Sequence, residues 1–110
     1  IPLAQSVGSD FVEPCDVTDA ASLDALFEAV KQRWGKLDFV LHAIAFSDKN
    51  ELKGRYVETS RTNFLHSLDV SCFSFVDLAR RALPLMTGGA SLIEMALTQL
   101  VINLRYALMA

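Results

Sequence analysis

The feature that most constrains the fold is a nearly continuous apolar run at positions 37–44, Leu-Asp-Phe-Val-Leu-His-Ala-Ile. Runs of this length are typical of a strand that is covered on both faces, as in a parallel sheet. An alternation of apolar and polar residues at positions 10–17 predicts another strand before it. The two segments therefore predict neighbouring strands of one sheet.

The residues between these segments have the pattern of a helix. Thr18 or Asp19 can cap its start, and Gly35 suits a left-handed residue at its end. Apolar residues recur at spacings of three and four, which places them on one face: Leu23, Leu26, Phe27, Val30 and Trp34. A strand–helix–strand unit is almost always right-handed and implies an α/β protein with a parallel sheet.

The rest of the chain continues this alternation. A polar segment at 47–60 is longer than most connections and is a candidate binding segment. A long helix is predicted at 61–83, a strand at 90–95 and an amphipathic helix at 96–110. The long helix has one apolar stripe of Phe64, Leu68, Cys72, Phe75, Ala79 and Ala82, and a second of Val70, Phe73 and Val76. Two stripes predict burial on two sides, against its own sheet and against a helix of a second subunit.

Charge and composition exclude several functions. The chain has 10 Lys and Arg against 13 Asp and Glu without a basic cluster, so no nucleic-acid binding is expected. Its most apolar stretch, 89–110, is interrupted by polar residues, so no membrane span is expected. Two cysteines without a paired motif suit the cytoplasm. Because the chain opens at Ile1 within an apolar pattern, we expect it to be part of a longer protein.

Ligands of an open parallel sheet bind outside the carboxyl ends of its strands. The sequence indicates two such strand ends, at 15–17 and at 43–46, and both should line one crevice. There Asp16 can accept from an adenine amino group while the Val17 amide donates to a ring nitrogen. The commoner alternative is that Asp16 caps the following helix. No G-x-G-x-x-G phosphate turn occurs, so either no dinucleotide binds or that turn precedes Ile1.

Four stretches carry a family resemblance. They are Gly-Ser-Asp-Phe-Val-x-x-Cys-Asp-Val at 8–17, Trp-Gly-Lys-Leu-Asp-Phe-Val-x-His-Ala-Ile-x-Phe-Ser at 34–47, Asp-Lys-Asn-Glu-Leu-Lys-Gly-Arg-Tyr at 48–56, and Ser-Cys-Phe-Ser-Phe at 71–75. Together they resemble the NADH-dependent enoyl-acyl-carrier-protein reductases of bacterial fatty acid synthesis, a branch of the short-chain dehydrogenases. The similarity runs without a gap from residue 1 to about residue 95.

The resemblance implies a partial Rossmann-like fold, a doubly wound parallel sheet in which residues 1–110 form part of one dinucleotide-binding domain. It implies NADH as cofactor and the enoyl-acyl carrier protein as substrate. The family reaction transfers a hydride from NADH to the β-carbon of a trans-2-enoyl thioester, and a tyrosine backed by a lysine supplies the donor that the enolate needs. It also implies a cytoplasmic homotetramer that assembles through helices 61–83 and 96–110.

Several positions match family site residues. Asp16 and Val17 match the pair that holds the adenine, and Ile44, with its neighbours Ala43 and Ala45, matches the dinucleotide pocket. Val70 faces the cofactor in the family pattern, with a plain core valine as the alternative. The substrate positions are Phe46 and Ser47. Most members have glycine where this chain has Ala45, and the extra methyl near the nicotinamide is expected to weaken tight inhibitors.

The resemblance fails after the strand at 90–95. Leu97 occupies the expected tyrosine position, and no lysine follows Lys53. An ungapped alignment places Tyr106 near the catalytic tyrosine. A gapped alignment, which matches Asn-Leu-Arg-Tyr at 103–106 better, makes Tyr106 structural and leaves residues missing between Met95 and Ala96. The catalytic residues are therefore unknown, and the chain alone is not expected to catalyse.

The cysteines, the histidines and three loop cations allow alternative interpretations. Cys72 and His66 could form a nucleophile and base, but six positions on one helix turn them to different faces. The set of Cys15, His42, His66 and Cys72 matches no zinc spacing, so no metal is expected. Three cations, Lys49, Lys53 and Arg55, either steer the acidic carrier protein or lie on a solvated loop. The competing functions are a short-chain dehydrogenase with another substrate and a non-catalytic nucleotide-binding βαβ module.

Overall fold

The computed structural model describes residues 2–95. In chain order they form the following elements: α1 (Pro2–Ser6), α2 (Ala20–Trp34), β1 (Phe39–His42), α3 (Arg61–Leu68), a π-helical turn (Asp69–Phe73), α4 (Ser74–Ala82) and β2 (Ser91–Glu94). Short 3₁₀ turns lie at Tyr56–Glu58 and Leu83–Leu85. The predicted helix at 96–110 and the step from Met95 to Ala96 lie outside the described residues.

The strands β1 and β2 pair in parallel, with Phe39 opposite Ser91 and His42 opposite Glu94. A backbone hydrogen bond continues the ladder at its carboxyl end, where the Met95 amide donates to the His42 carbonyl over 2.9 Å. Both strands lie where the sequence predicts them. The expectation of an α/β protein with a parallel sheet is therefore confirmed.

The helix α2 follows its sequence signals closely. The Asp19 side chain accepts from the Ala21 amide at the N-terminus, and Gly35 ends the helix with a φ of 74°. That left-handed conformation is one that glycine adopts without steric cost. The helix buries Leu23 and Val30 and packs against α4, to which the Asp24–Arg81 ion pair also joins it at 2.8 Å.

The strand predicted at 10–17 is wrong for the described structure, because this segment has no regular secondary structure. A strand is held by backbone hydrogen bonds to a neighbouring strand. Here polar groups of the segment bond to side chains of α2 instead. The Asp10 carboxylate pairs with Arg33 at 2.7 Å, and the Asp16 amide donates to Ser22 Oγ. The Phe11 and Trp34 rings also meet, 5.0 Å apart. The segment thus lies along the helix that follows it.

Coverage of β1 on both faces is also wrong within residues 2–95. Phe39 and Leu41 are 63% and 49% exposed, whereas His42 is buried and Val40 half-buried. Successive side chains of a strand point to opposite faces, so the described helices cover one face and leave the other open.

The long helix is confirmed from Arg61 to Ala82, and Pro84 lies in the turn that ends it. Its buried face differs from the predicted apolar stripes, because Phe64, Phe73 and Val76 are exposed. Val70 and Ala82 of those stripes are buried, together with residues outside them: Asn63, Ser67, Ser71, Ser74 and Leu78. The π-helical turn inserts extra residues into the helical repeat and so shifts which side chains face inward.

Candidate functional site

The two parallel strands end side by side, at the paired residues His42 and Glu94. This carboxyl edge is where ligands of parallel sheets bind, because the loops diverge there. From it the chain leaves β1 through residues 43–47 and reaches α3 through a loop. The site is built from the contacts that hold this exit segment.

Ser71, in the π-helical turn, holds the exit segment by its backbone. The Phe46 amide donates to Ser71 Oγ over 3.0 Å, and the same hydroxyl donates to the Phe46 carbonyl over 3.3 Å. Ser71 is 1% exposed. A buried hydroxyl that satisfies both polar groups of one residue fixes the path of the chain at that residue.

Asn63, on the first turn of α3, holds the next two residues. Its Oδ1 accepts from the Asp48 amide over 2.9 Å, and its Nδ2 donates to Ser47 Oγ over 3.3 Å. Ser67 Oγ donates to the same Oδ1. The sequence patterns did not predict these contacts. The signal was present, because Asn63, Ser67 and Ser71 repeat every four residues and so mark one polar helix face.

The predicted dinucleotide and substrate residues of the exit segment are accessible to a ligand. Ala43 and Ala45 are exposed, Phe46 is 46% exposed, and Ile44 and Ser47 are half-buried. Val70 differs, since it is 8% exposed within the π-helical turn. That burial agrees with the alternative of a core valine, and Val70 lies next to the hydroxyl that holds Phe46.

Asp16 lies in a tight turn before α2. Its Oδ1 accepts from the Thr18 amide over 2.9 Å and from Thr18 Oγ1 over 2.7 Å. Because these hydrogen bonds favour the charged form, they lower the pKa of the Asp16 carboxyl. The capping alternative is wrong, since Asp19 caps α2. Asp16 is therefore an exposed, ionised carboxylate.

His66 contacts the exit segment through Phe46. The charge of its imidazole adds to the lowering of the pKa of Asp16, behind the Thr18 hydrogen bonds, and the edge of its ring contacts Phe46 with the ring centres 5.0 Å apart. His66 therefore contacts the exit segment directly and influences Asp16 only through its charge. Periodicity could not reveal this role, because His66 is an exposed residue on a predicted helix.

Glu51 closes the loop between β1 and α3. Its carboxylate accepts from the Ser60 amide over 2.8 Å and from Ser60 Oγ over 2.7 Å. Ser60 Oγ in turn accepts from the Asn63 amide and caps α3. The Ser60 hydrogen bonds hold the pKa of Glu51 below its ordinary value.

The hydrogen bonds between Glu51 and Ser60 form a latch on this loop. They predict that the stability of the protein depends on pH. A carboxyl whose pKa is lowered by folding stabilises the folded state above its unfolded pKa, and the contribution is lost as the pH falls through the lowered value. We expect Glu51→Gln to flatten the acid-side decline in stability, measured by urea unfolding between pH 7 and pH 3. The control is Glu58→Gln, an exposed carboxylate of the same loop. Equal declines in both variants and the parent would contradict the latch.

The weighed alternatives find little support in residues 2–95. His66 turns its ring toward Phe46, and within that part of the chain no three metal-ligating side chains come together. Cys15 is exposed and Cys72 half-buried, and both are free thiols. Lys49, Lys53 and Arg55 are exposed on the loop, as either of their two interpretations requires.

The chain is similar to proteins of known function. The chain is 56% identical over 94 residues to the enoyl-[acyl-carrier-protein] reductase [NADH] 2 of Rhizobium meliloti, covering 86% of this chain and 35% of that protein. It is 53% identical over 95 residues to the enoyl-[acyl-carrier-protein] reductase [NADH] FabI of Rickettsia bellii, covering 86% of this chain and 36% of that protein. The chain thus spans about a third of the length of these relatives.

Solved structures of two reductases are also similar to this chain. The enoyl-(acyl-carrier-protein) reductase of Anaplasma phagocytophilum, in complex with NAD, superposes with a TM-score of 0.79 at 58% identity over 83% of this chain and 35% of that one. FabI from Candidatus Liberibacter asiaticus gives 0.81 at 57% identity over 84% and 36%. These matches confirm the partial Rossmann-like fold. A family profile described as enoyl-(acyl carrier protein) reductase matches residues 1–110. The chain belongs to the enoyl-(acyl carrier protein) reductase family.

Proposed function

We propose that the protein reduces the trans-2-enoyl thioester of acyl carrier protein with NADH, in bacterial fatty acid synthesis. One observation carries the proposal: the exit segment at 43–47, whose backbone and hydroxyl are held by Ser71 and Asn63, leaves the carboxyl edge of the sheet with its small residues exposed. Small side chains and an accessible backbone at that edge suit a dinucleotide.

The side chains at this edge fit a dinucleotide. Asp16 presents an exposed carboxylate that its turn holds in place and that can accept from the adenine amino group, while the Val17 amide can donate to the ring. Ala43 and Ala45 are small and exposed, which leaves room beside the backbone. We therefore assign cofactor binding to Asp16, Val17, Ala43, Ile44 and Ala45. We assign Val70 to the same site as a buried residue of the π-helical turn, next to Ser71.

Phe46 and Ser47 would meet the acyl substrate, since they continue the exit segment beyond the cofactor residues. Ser71 and Asn63 fix the backbone and the hydroxyl of this pair. When bound, NADH supplies the hydride for the β-carbon of the enoyl thioester. The residues that donate to the resulting enolate are unknown, because no tyrosine and lysine pair matches the family pattern.

We infer that residues 1–110 form part of a single dinucleotide-binding domain, as their span of about a third of the relatives' length suggests. None of the helices formed within residues 2–95 has the length and apolar character that crossing a bilayer requires. The two free thiols favour the cytoplasm. Exposed Phe64, Phe73 and Val76 favour a homo-oligomer, through helix 61–83 and residues 96–110, up to a tetramer.

The test is NADH oxidation by the complete gene product with a crotonyl thioester of acyl carrier protein. We expect loss of the 340-nm absorbance of NADH, and no turnover from the 110-residue chain by itself. A saturated butyryl thioester is the matched control, because it lacks the double bond that accepts the hydride. The proposal fails if the complete protein treats the two thioesters alike.

A further inference from the structure

His42 carries a buried polar chain that the proposed site does not use. Its side chain is fully enclosed, with Nδ1 2.7 Å from Glu94 Oε2 and Nε2 2.7 Å from Ser74 Oγ. The edge of its ring rests on Phe75, with the ring centres 5.6 Å apart. The chain joins the last residues of both strands to the first residue of α4.

The positions of the hydrogens follow from counting donors. A serine hydroxyl has one hydrogen, and Ser74 Oγ donates it to the Val70 carbonyl over 2.6 Å. Ser74 must therefore accept from His42, which places a hydrogen on Nε2. The contact between Nδ1 and Glu94 Oε2 is not aligned as a hydrogen bond.

The buried polar contacts that run from Glu94 through His42 to Ser74 end at the π-helical turn. The Val70 carbonyl, which receives the Ser74 hydroxyl, precedes Ser71, whose own hydroxyl holds the Phe46 backbone. A π-helical turn is a rare conformation that persists where local contacts favour it. The buried chain of Glu94, His42 and Ser74 supplies such a contact, at the strand edge where the exit segment begins.

We propose that His42, Glu94 and Ser74 are positioning residues: they fix the π-helical turn so that Ser71 holds Phe46 in its place at the site. Their effect on the backbone is independent of the reaction. Their effect on NADH affinity rests on the proposed function, because it requires that residues 43–47 line the cofactor site.

The test compares Ser74→Ala and Glu94→Ala with Ser91→Ala in the complete gene product. Ser91 is an exposed residue at the opposite end of the same strand and is the matched control. Losing one polar contact from this buried set is expected to speed exchange of the Phe46 amide about tenfold in the first two variants. In Ser91→Ala, exchange at Phe46 stays at the parent rate. NADH affinity falls about threefold or more in the same two variants.

The outcomes separate the two proposals. If Phe46 exchange is unchanged in both folded variants, the positioning role is overturned. If exchange accelerates while NADH affinity is unchanged, the positioning role stands and the cofactor site is contradicted. A measurement on the unmodified protein needs no variant: the ¹⁵N spectrum of His42 should show hydrogen on Nε2. A ring with hydrogen only on Nδ1 would overturn the proposal.

Discussion

Leu23→Ala is expected to lower the free energy of unfolding by about 3 kcal/mol. Leu23 is 0% exposed and lies on the face of α2 that packs against α4. Shortening it removes buried methyl groups and leaves a cavity that the two helices can only partly close. The ion pair between Asp24 and Arg81, which raises the pKa of Arg81, ties the helices together and limits that closure.

Urea unfolding of the variant measures this loss. The matched control is Leu3→Ala, since Leu3 is 84% exposed and its substitution should change the free energy of unfolding by less than about 0.5 kcal/mol. Similar losses in the two variants would show that the contact between α2 and α4 is not the core of this part of the chain.

Asp16→Ala is expected to weaken NADH binding about tenfold or more, because a hydrogen bond to a charged group contributes more than one between neutral groups. The carboxylate is exposed, and its turn with Thr18 holds it in place before α2. Isothermal titration of the complete gene product with NADH gives the dissociation constant. Unfolding by urea, measured alongside, separates loss of the ligand contact from loss of the turn.

Asp10→Ala is the control for this prediction. Asp10 is an exposed aspartate of the same segment, and its carboxylate pairs with Arg33, which lowers its pKa. Removing it takes away the same charge without touching the candidate site. NADH affinity should stay near that of the parent. Equal weakening in the two variants would mean that net charge, and not a contact at Asp16, governs binding.

The elements that local signals specify are the ones the sequence predicts well. The cap at Asp19, the turn at Gly35 and the apolar spacing between them determine α2 without reference to the rest of the chain. The apolar run around β1 determines a strand for the same reason. The family motifs extend the prediction to the exit segment at 43–47, whose exposure fits ligand binding.

What the sequence could not predict depends on contacts between distant residues. The segment at 10–17 has the pattern of a strand, but its polar groups bond to Arg33 and Ser22 of α2. The buried face of the long helix is polar because its hydroxyl and amide groups bind the backbone of another segment, which periodicity does not encode. Likewise, His66 gains its contact with Phe46 only when the chain folds.

The most direct test of the shared site is an NADH titration of the isotopically labelled complete protein, followed by amide chemical shifts. The account predicts concerted shifts at Val17 and at Ala43, Ile44 and Ala45, with one dissociation constant. Amides near Lys31 and Arg81, which are not among the candidate site residues, should remain in place. Shifts at only one of the two segments, or shifts confined to the Lys31 region, would contradict a single dinucleotide site.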